Sequence, residues 1–380
     1  MKLLRSLYSD ISYSIKSNGE YSVSFSSKCG VKQGCNLSPL LFNLFVNDLH
    51  DNFDASCSPV SLGAKHISSL SFADDLVLLS ETTVGLQNSL EILQNYCHEW
   101  GLDINIDKTK VVVFNRAFRK THKFSFFVNN SPIEVAKSYR YLGVTITSTG
   151  SFHLNMQEVR NKALRALYSL YSSISLYSGE GTISLFLKLF KILIKPILLY
   201  AWEIWGFTTF TTCTIISKFV GKFYKNLLGV PNSTSNVAVH LELGCLPVEI
   251  DIKESILKYW LRLVQLPSNR LVHHAYQFLL QNNISDSWMS AVRNIFNHTG
   301  YSFIWDEQND LSFHDKMFSK SLSNQISESM MNQFIQTSDR CMFTERKLNY
   351  FFMFKEAFEL SNTLSAFLND LNIRSWQNVD

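Results

Sequence analysis

Residues 70–80 read LSFADDLVLLS, with Asp74 and Asp75 side by side, apolar residues on both flanks and no lysine or arginine within five positions. Leu70 and Phe72 before the pair, and Leu76, Val77, Leu78 and Leu79 after it, predict two short buried strands with the acids at the tight connection of a hairpin. Two carboxylates held this close repel and raise each other's pKa unless a divalent cation neutralises them. Mg²⁺, which takes hard oxygen ligands, suits such a pair. Asp-Asp is also ordinary turn chemistry, so its meaning depends on what surrounds it.

Some forty residues upstream, residues 27–50 read SKCGVKQGCNLSPLLFNLFVNDLH. Gly30 and Gly34 allow a loop to approach a ligand closely, and Ser38-Pro39 reads as a helix N-cap followed by a first-turn proline. Leu41, Leu44, Phe45 and Leu49 recur at helical spacing and predict one buried stripe.

Together these stretches resemble the palm of a reverse transcriptase, in particular the type encoded by non-LTR retrotransposons. In that likeness, the run from Val31 through Gln33, Gly34, Cys35 and Asn36 to Ser38 and Pro39 is similar to the loop and helix start that contact the incoming nucleotide and template. Phe72-Ala73-Asp74-Asp75 resembles the metal-binding hairpin. The segment GLDINIDKTK, residues 101–110, resembles the one whose lysine stands near the leaving pyrophosphate, and Lys108 is the matching position. Tyr139-Arg140-Tyr141-Leu142-Gly143-Val144 is similar to the strand pair that grips the primer end. The resemblance implies RNA-templated DNA synthesis by two-metal nucleotidyl transfer. Its catalytic residues would be Asp74, Asp75 and Lys108, and its metal ligands Asp74 and Asp75 with Mg²⁺. Gln33, Gly34, Ser38, Pro39, Phe72 and Ala73 would contact the nucleotide, and Tyr141, Leu142 and Gly143 the primer. The implied partners are an RNA template, a DNA primer and deoxynucleoside triphosphates.

The resemblance also places the family's fingers, and a further catalytic aspartate on an earlier palm strand, before residue 1. Asp10 is the nearest acid, and LLRSLYSD reads as the end of an amphipathic helix, so Asp10 is expected as a helix-end or turn residue. Two-metal phosphoryl transfer needs carboxylates from separate strands. The chain alone is therefore expected to be inactive, a C-terminal fragment of a polymerase. The alternative is a noncatalytic nucleic-acid-binding remnant of such an element.

At 380 residues, 46% hydrophobic and 13% aromatic, the chain has material for two or three domains with real cores. A net charge of +3 does not announce nucleic-acid binding. Its distribution is more informative. Residues 108–123 hold six basic residues and no acid, and residues 137–195 hold eight against Glu158 and Glu180. Beside a palm, such a run reads as a phosphate track, with Arg160, Lys162 and Arg165 along one helix as primer and template contacts. The seven cysteines are scattered, with no pair repeated at zinc spacing, which suggests a reducing compartment. No signal peptide is read, and the expectation is an intracellular protein of nucleus or cytoplasm. Lys188, Lys191, Lys195 and Pro196 interrupt the apolar stretch 183–205, which argues against a membrane span and for a buried, kinked helix pair.

The fold class expected is α+β: a partial polymerase palm, an antiparallel sheet with helices, followed by an all-α thumb and a helical C-terminal region. The divisions expected are 1–150, 151–260 and 261–380. Within the first, Asn18-Gly19 predicts a hairpin turn. A helix over 84–100 would bury Leu86, Leu90, Leu93, Cys97 and Trp100 and end at Gly101. Trp202, Trp205 and Tyr200 are expected in the core rather than stacked on bases.

Overall fold

A computed structural model describes residues 6, 8–9, 12–26, 30–32, 34–114, 124–174, 182–206, 210–282, 288–308, 321–322, 324–326, 328–333 and 336. Asp10, Gln33 and the aromatic run at 350–352 lie outside these. The contacts divide the chain into one unit of residues 1–111 with 119–136, and a second of 112–118 with 137–380.

The first unit mixes strands and helices, as α+β requires. Its strands do not join into one palm sheet, however. Among the described residues they form separate pairs: Ser12–Tyr13 with Phe25–Ser26, Lys16–Ser17 with Glu20–Tyr21, Val60–Leu62 with Lys65–Ile67, and Ser69–Phe72 with Asp75–Leu78. The one three-stranded sheet puts Ser131–Val135 between Phe126–Val128, antiparallel, and Lys110–Val111, parallel. The first two pairs lie on one hairpin and share its turn. At Asn18-Gly19 both residues take positive φ, 51° and 90°, as a tight hairpin turn requires.

The long helix Thr83–Trp100 organises this unit. Thr82 caps it by accepting from the Gly85 amide at 3.0 Å, and Gly101 ends it at φ 65° while the Leu102 amide returns to the Cys97 carbonyl at 2.8 Å. Leu90 and Cys97 are buried as the periodicity predicts, together with Ser89 and Tyr96. Trp100 is not: it is 41% exposed and lies edge-on to Phe45, ring centroids 5.2 Å apart. The Tyr96 hydroxyl reaches Asp48 at 2.7 Å, and burial with that carboxylate beside it pushes the phenol pKa up.

Among the described residues the second unit is helical apart from one hairpin. Its core cluster among these residues runs in sequence from Met156 to Met330. Val159, Ala163, Leu167 and Leu170 line the buried face of helix His153–Ile174. Phe190 stacks on Phe223 at 4.2 Å, and Trp202, Trp205 and Trp260 have no exposed surface. Stretch 183–205 is indeed kinked. A π-helical turn, Phe190–Ile194, interrupts it just before Pro196, which has no N–H to donate and whose ring would crowd the carbonyl of Ile192. Among the described residues no helix is long and apolar enough to cross a membrane.

Candidate active site and nucleic-acid interface

Asp74 and Asp75 occupy the tip of a two-stranded hairpin in register Phe72↔Asp75, Ser71↔Leu76, Leu70↔Val77 and Ser69↔Leu78. Ala73 and Asp74 form the two-residue turn, with Ala73 at φ 52°, a left-handed conformation that costs a non-glycine residue about 1–2 kcal/mol. Both acids are exposed, and among the described residues neither enters an ion pair. The expectation of two buried strands is corrected: Leu70 is 37% and Phe72 62% exposed. A two-stranded hairpin has no third strand to cover its faces or edges.

What holds this hairpin is a residue that none of the sequence motifs singles out. His50 places Nδ1 2.7 Å from Ser69 Oγ and Nε2 2.9 Å from Ser71 Oγ, so both ring nitrogens grip the strand that leads into the acids. A serine hydroxyl donates or accepts, so either imidazole tautomer satisfies both contacts. No motif signals this, because the partners are 19 and 21 residues away.

The donor set suits a hard divalent cation as far as it goes: two adjacent carboxylates with no competing counter-charge. Among the described residues no three His, Cys, Asp or Glu side chains converge, so the pair stands without a third acid. Lys108 is exposed in a turn, its amide donating to Asn105 Oδ1 at 3.1 Å.

In the upstream loop, Gly34 takes φ 78° and a Cβ there would meet nothing within 4 Å. Ser38 is not the N-cap. It is the first residue of helix Ser38–Phe45, Leu37 precedes it as cap, and Pro39 follows within the first turn. The buried Ser38 hydroxyl donates instead to the Lys32 carbonyl at 2.6 Å, drawing the loop closed, with the Tyr8 hydroxyl 3.2 Å away. Inside that loop the Cys35 thiol is held below its usual pKa by the Leu37 amide and then by the Tyr8 hydroxyl. The expected buried stripe is also corrected. Leu49 is buried, but Leu44 is 65% and Phe45 40% exposed.

In the second unit, Ser138–Tyr141 pairs with Val144–Thr147 through a Leu142-Gly143 turn with φ 45° and 83°, the two positive values a tight hairpin turn needs. Tyr141 is half-buried at its base. This hairpin is docked on helix His153–Ile174. The Thr145 amide donates to Asn155 Oδ1 at 2.9 Å, and its hydroxyl to Glu158 at 2.7 Å. That docking assembles positive charge. Arg140 faces Thr145 across the pair, Lys162 stands one helical turn beyond Glu158, and Arg165 nearly one turn further. Burial and then the Arg140 charge lower the Lys162 pKa, with Arg165 adding to the effect and Glu158 opposing it. Arg160 points away, roughly 140° or more around the helix from either neighbour. The charges grouped around Lys162 are those of Arg140 and Arg165.

Comparison with known proteins decides what these pieces belong to. The family model described as reverse transcriptase (RNA-dependent DNA polymerase) matches residues 1–146. Residues 1–146 therefore carry a match to the reverse transcriptase family, and the chain is similar to the polymerases of non-LTR retrotransposons. The RNA-directed DNA polymerase from mobile element jockey of Drosophila funebris is 23% identical over 275 residues, 70% of this chain and 29% of that protein. The Pol polyprotein of type-2 retrotransposable element R2DM of Drosophila melanogaster is 35% identical over 156 residues, 38% of this chain and 14% of that protein. The probable polymerase from transposon BS of the same fly is 24% identical over 267 residues, 68% of this chain. The chain spans less than a third of the length of these relatives, 29%, 14% and 28%.

Proposed function

We propose that residues 1–380 serve as palm and thumb elements of a retrotransposon reverse transcriptase, extending a DNA primer on an RNA template. The observation that carries this reading is the 69–78 hairpin, with two adjacent, exposed carboxylates free of ion pairs at its tip, inside the matched domain. Asp74 and Asp75 would hold Mg²⁺, which when bound supplies charge stabilisation to the reacting phosphate. Lys108 would neutralise charge on the departing pyrophosphate, Phe72 and Ala73 would border the nucleotide with Gln33, Gly34, Ser38 and Pro39, and the Tyr141-Leu142-Gly143 turn would seat the primer end. Arg140, Lys162 and Arg165 would meet backbone phosphates.

Two-metal transfer rests almost wholly on positioning and charge, with carboxylates from separate strands. Among the described residues one strand end supplies them, so we propose that these residues hold primer and template but do not turn over by themselves. The test is a binding titration with an RNA template annealed to a DNA primer, beside a primer-extension assay with Mg²⁺ and all four nucleotides. Three phosphate contacts predict that affinity falls with roughly the third power of salt concentration, and Arg165→Ala should lower that exponent by about one. Salt-insensitive binding would sink the interface. Extension that Asp74→Asn abolishes would overturn the incompleteness and support the metal pair.

A further inference from the structure

We infer that Tyr200 is a positioning residue that sets the Leu142-Gly143 turn, latching it to the helical body; the inference rests on the reading of that turn as the seat of the primer end. The Tyr200 hydroxyl donates to the Leu142 carbonyl at 2.9 Å across 58 residues of sequence. Its ring lies along the next residue: a Cβ on Gly143 would sit 3.0 Å from Tyr200 Cε1 and 3.3 Å from its oxygen. Gly143 is thus required twice, by φ 83° and by the approach of the ring.

Tyr200 is itself held from behind. Its carbonyl accepts from Trp205 Nε1 at 2.9 Å, and Trp205 and Trp202 are fully buried. Between Tyr200 and Trp202, Ala201 takes φ 53°, a strained value for alanine, at the corner where helix Lys195–Leu198 gives way to Trp202–Trp205. Such a corner anchors the backbone in the core and turns the ring out, which explains why Tyr200 is 52% exposed although it sits in an apolar stretch. The hairpin is then held at two points: its second strand by Asn155 and Glu158, its tip by Tyr200. A tip pinned to the core keeps one geometry while nucleic acid is exchanged, and the phenol oxygen sets the direction of the Leu142 carbonyl.

The test uses the full chain as Tyr200→Phe, which keeps the ring and removes the hydrogen bond. Hydrogen exchange of the segment 139–147 is followed by mass spectrometry. Affinity is measured for a DNA primer with a recessed 3′ end on RNA and for a blunt duplex of equal length. The expected result is exchange of 139–147 faster by about fivefold, with helix His153–Ile174 unchanged, and a preference for the recessed end reduced by a similar factor. Tyr200→Leu, which removes both ring and hydroxyl, should deepen both effects in the same order. Unchanged exchange at 139–147 in both variants would overturn the latch. So would faster exchange with an unaltered end preference, since that is a merely structural contact. If the wild-type chain does not distinguish the two duplexes while the exchange effect is present, it is the primer-seat reading that fails and the positioning role falls with it.

Discussion

Replacing His50 by alanine tests whether the acid-bearing hairpin is held from outside its own strands. The hairpin has four register pairs and two half-exposed strands, too little to be stable alone. His50 adds two hydrogen bonds, one partly buried to Ser69 and one exposed to Ser71. A net hydrogen bond contributes about 0.5–1.5 kcal/mol, with exposed ones at the low end, so losing both costs about 1–2 kcal/mol of local stability. That corresponds to roughly a 5- to 30-fold rise in the opening equilibrium of the hairpin. Hydrogen exchange of a peptide covering 69–78 should speed up by that factor in His50→Ala, while helix Thr83–Trp100 keeps its protection. Ser71→Ala, which removes only the exposed contact, should give the smaller part of the effect. Equal protection of 69–78 in wild type and His50→Ala would refute the argument. Uniform loss across 34–114 would refute it too, because His50 would then be supporting the unit rather than the hairpin.

Two further outcomes follow from burial in the second unit. A Cβ on Gly206 would lie 1.7 Å from Trp202 Nε1, and Trp202 is fully buried, so Gly206→Ala forces the indole out of its seat; thermal or urea unfolding should show a loss of about 3 kcal/mol or more. A loss below about 1 kcal/mol would mean that the tryptophan has somewhere else to go. Glu242 is the second case: burial raises its carboxyl pKa above the ordinary 4.5, so the native state binds the proton more tightly than the unfolded chain and stability falls as pH rises through that interval. Glu242→Gln should therefore gain stability over wild type as pH goes from about 4 to about 7 in thermal melts, and an advantage that shrinks with rising pH would contradict the sign.

How much of this was legible in the sequence depends on how far apart the interacting residues are. Asn18-Gly19 and the helix end at Gly101 were readable because each is governed by neighbours a few residues away. The acids of the hairpin were readable for the same reason. Burial of that hairpin and of Leu44 was not, because a periodic apolar pattern says which face is greasy and not what covers it. Ser38 had the right composition for a cap, yet its hydroxyl found a carbonyl six residues back, a contact that depends on how the loop closes. His50, Arg140 and Tyr200 act across 19, 18 to 25, and 58 residues, and their local sequence does not say which distant residues they meet.

Local rules also fail in an informative pattern. Seven described residues other than glycine take positive φ. Three are asparagines, Asn18, Asn129 and Asn130, whose side chains suit that conformation, so the turns they make follow from residue type. Ala73, Leu142 and Ala201 have no such aptitude, and each costs about 1 kcal/mol that glycine would avoid. One sits beside Asp74, one bears the carbonyl that accepts from Tyr200 in the Gly143 turn, and one precedes Trp202 at the corner that carries Tyr200. Ser58 alone is strained away from these places. Strain persists only where the surroundings over-determine the backbone. Here the surroundings are named: His50 on the first hairpin, Asn155 and Glu158 on the second, Trp205 behind Tyr200. The positions where propensity loses to tertiary contacts are thus the corners at the Asp74-Asp75 hairpin and the Leu142-Gly143 turn, which is the distribution expected if those corners are held for chemistry rather than for stability.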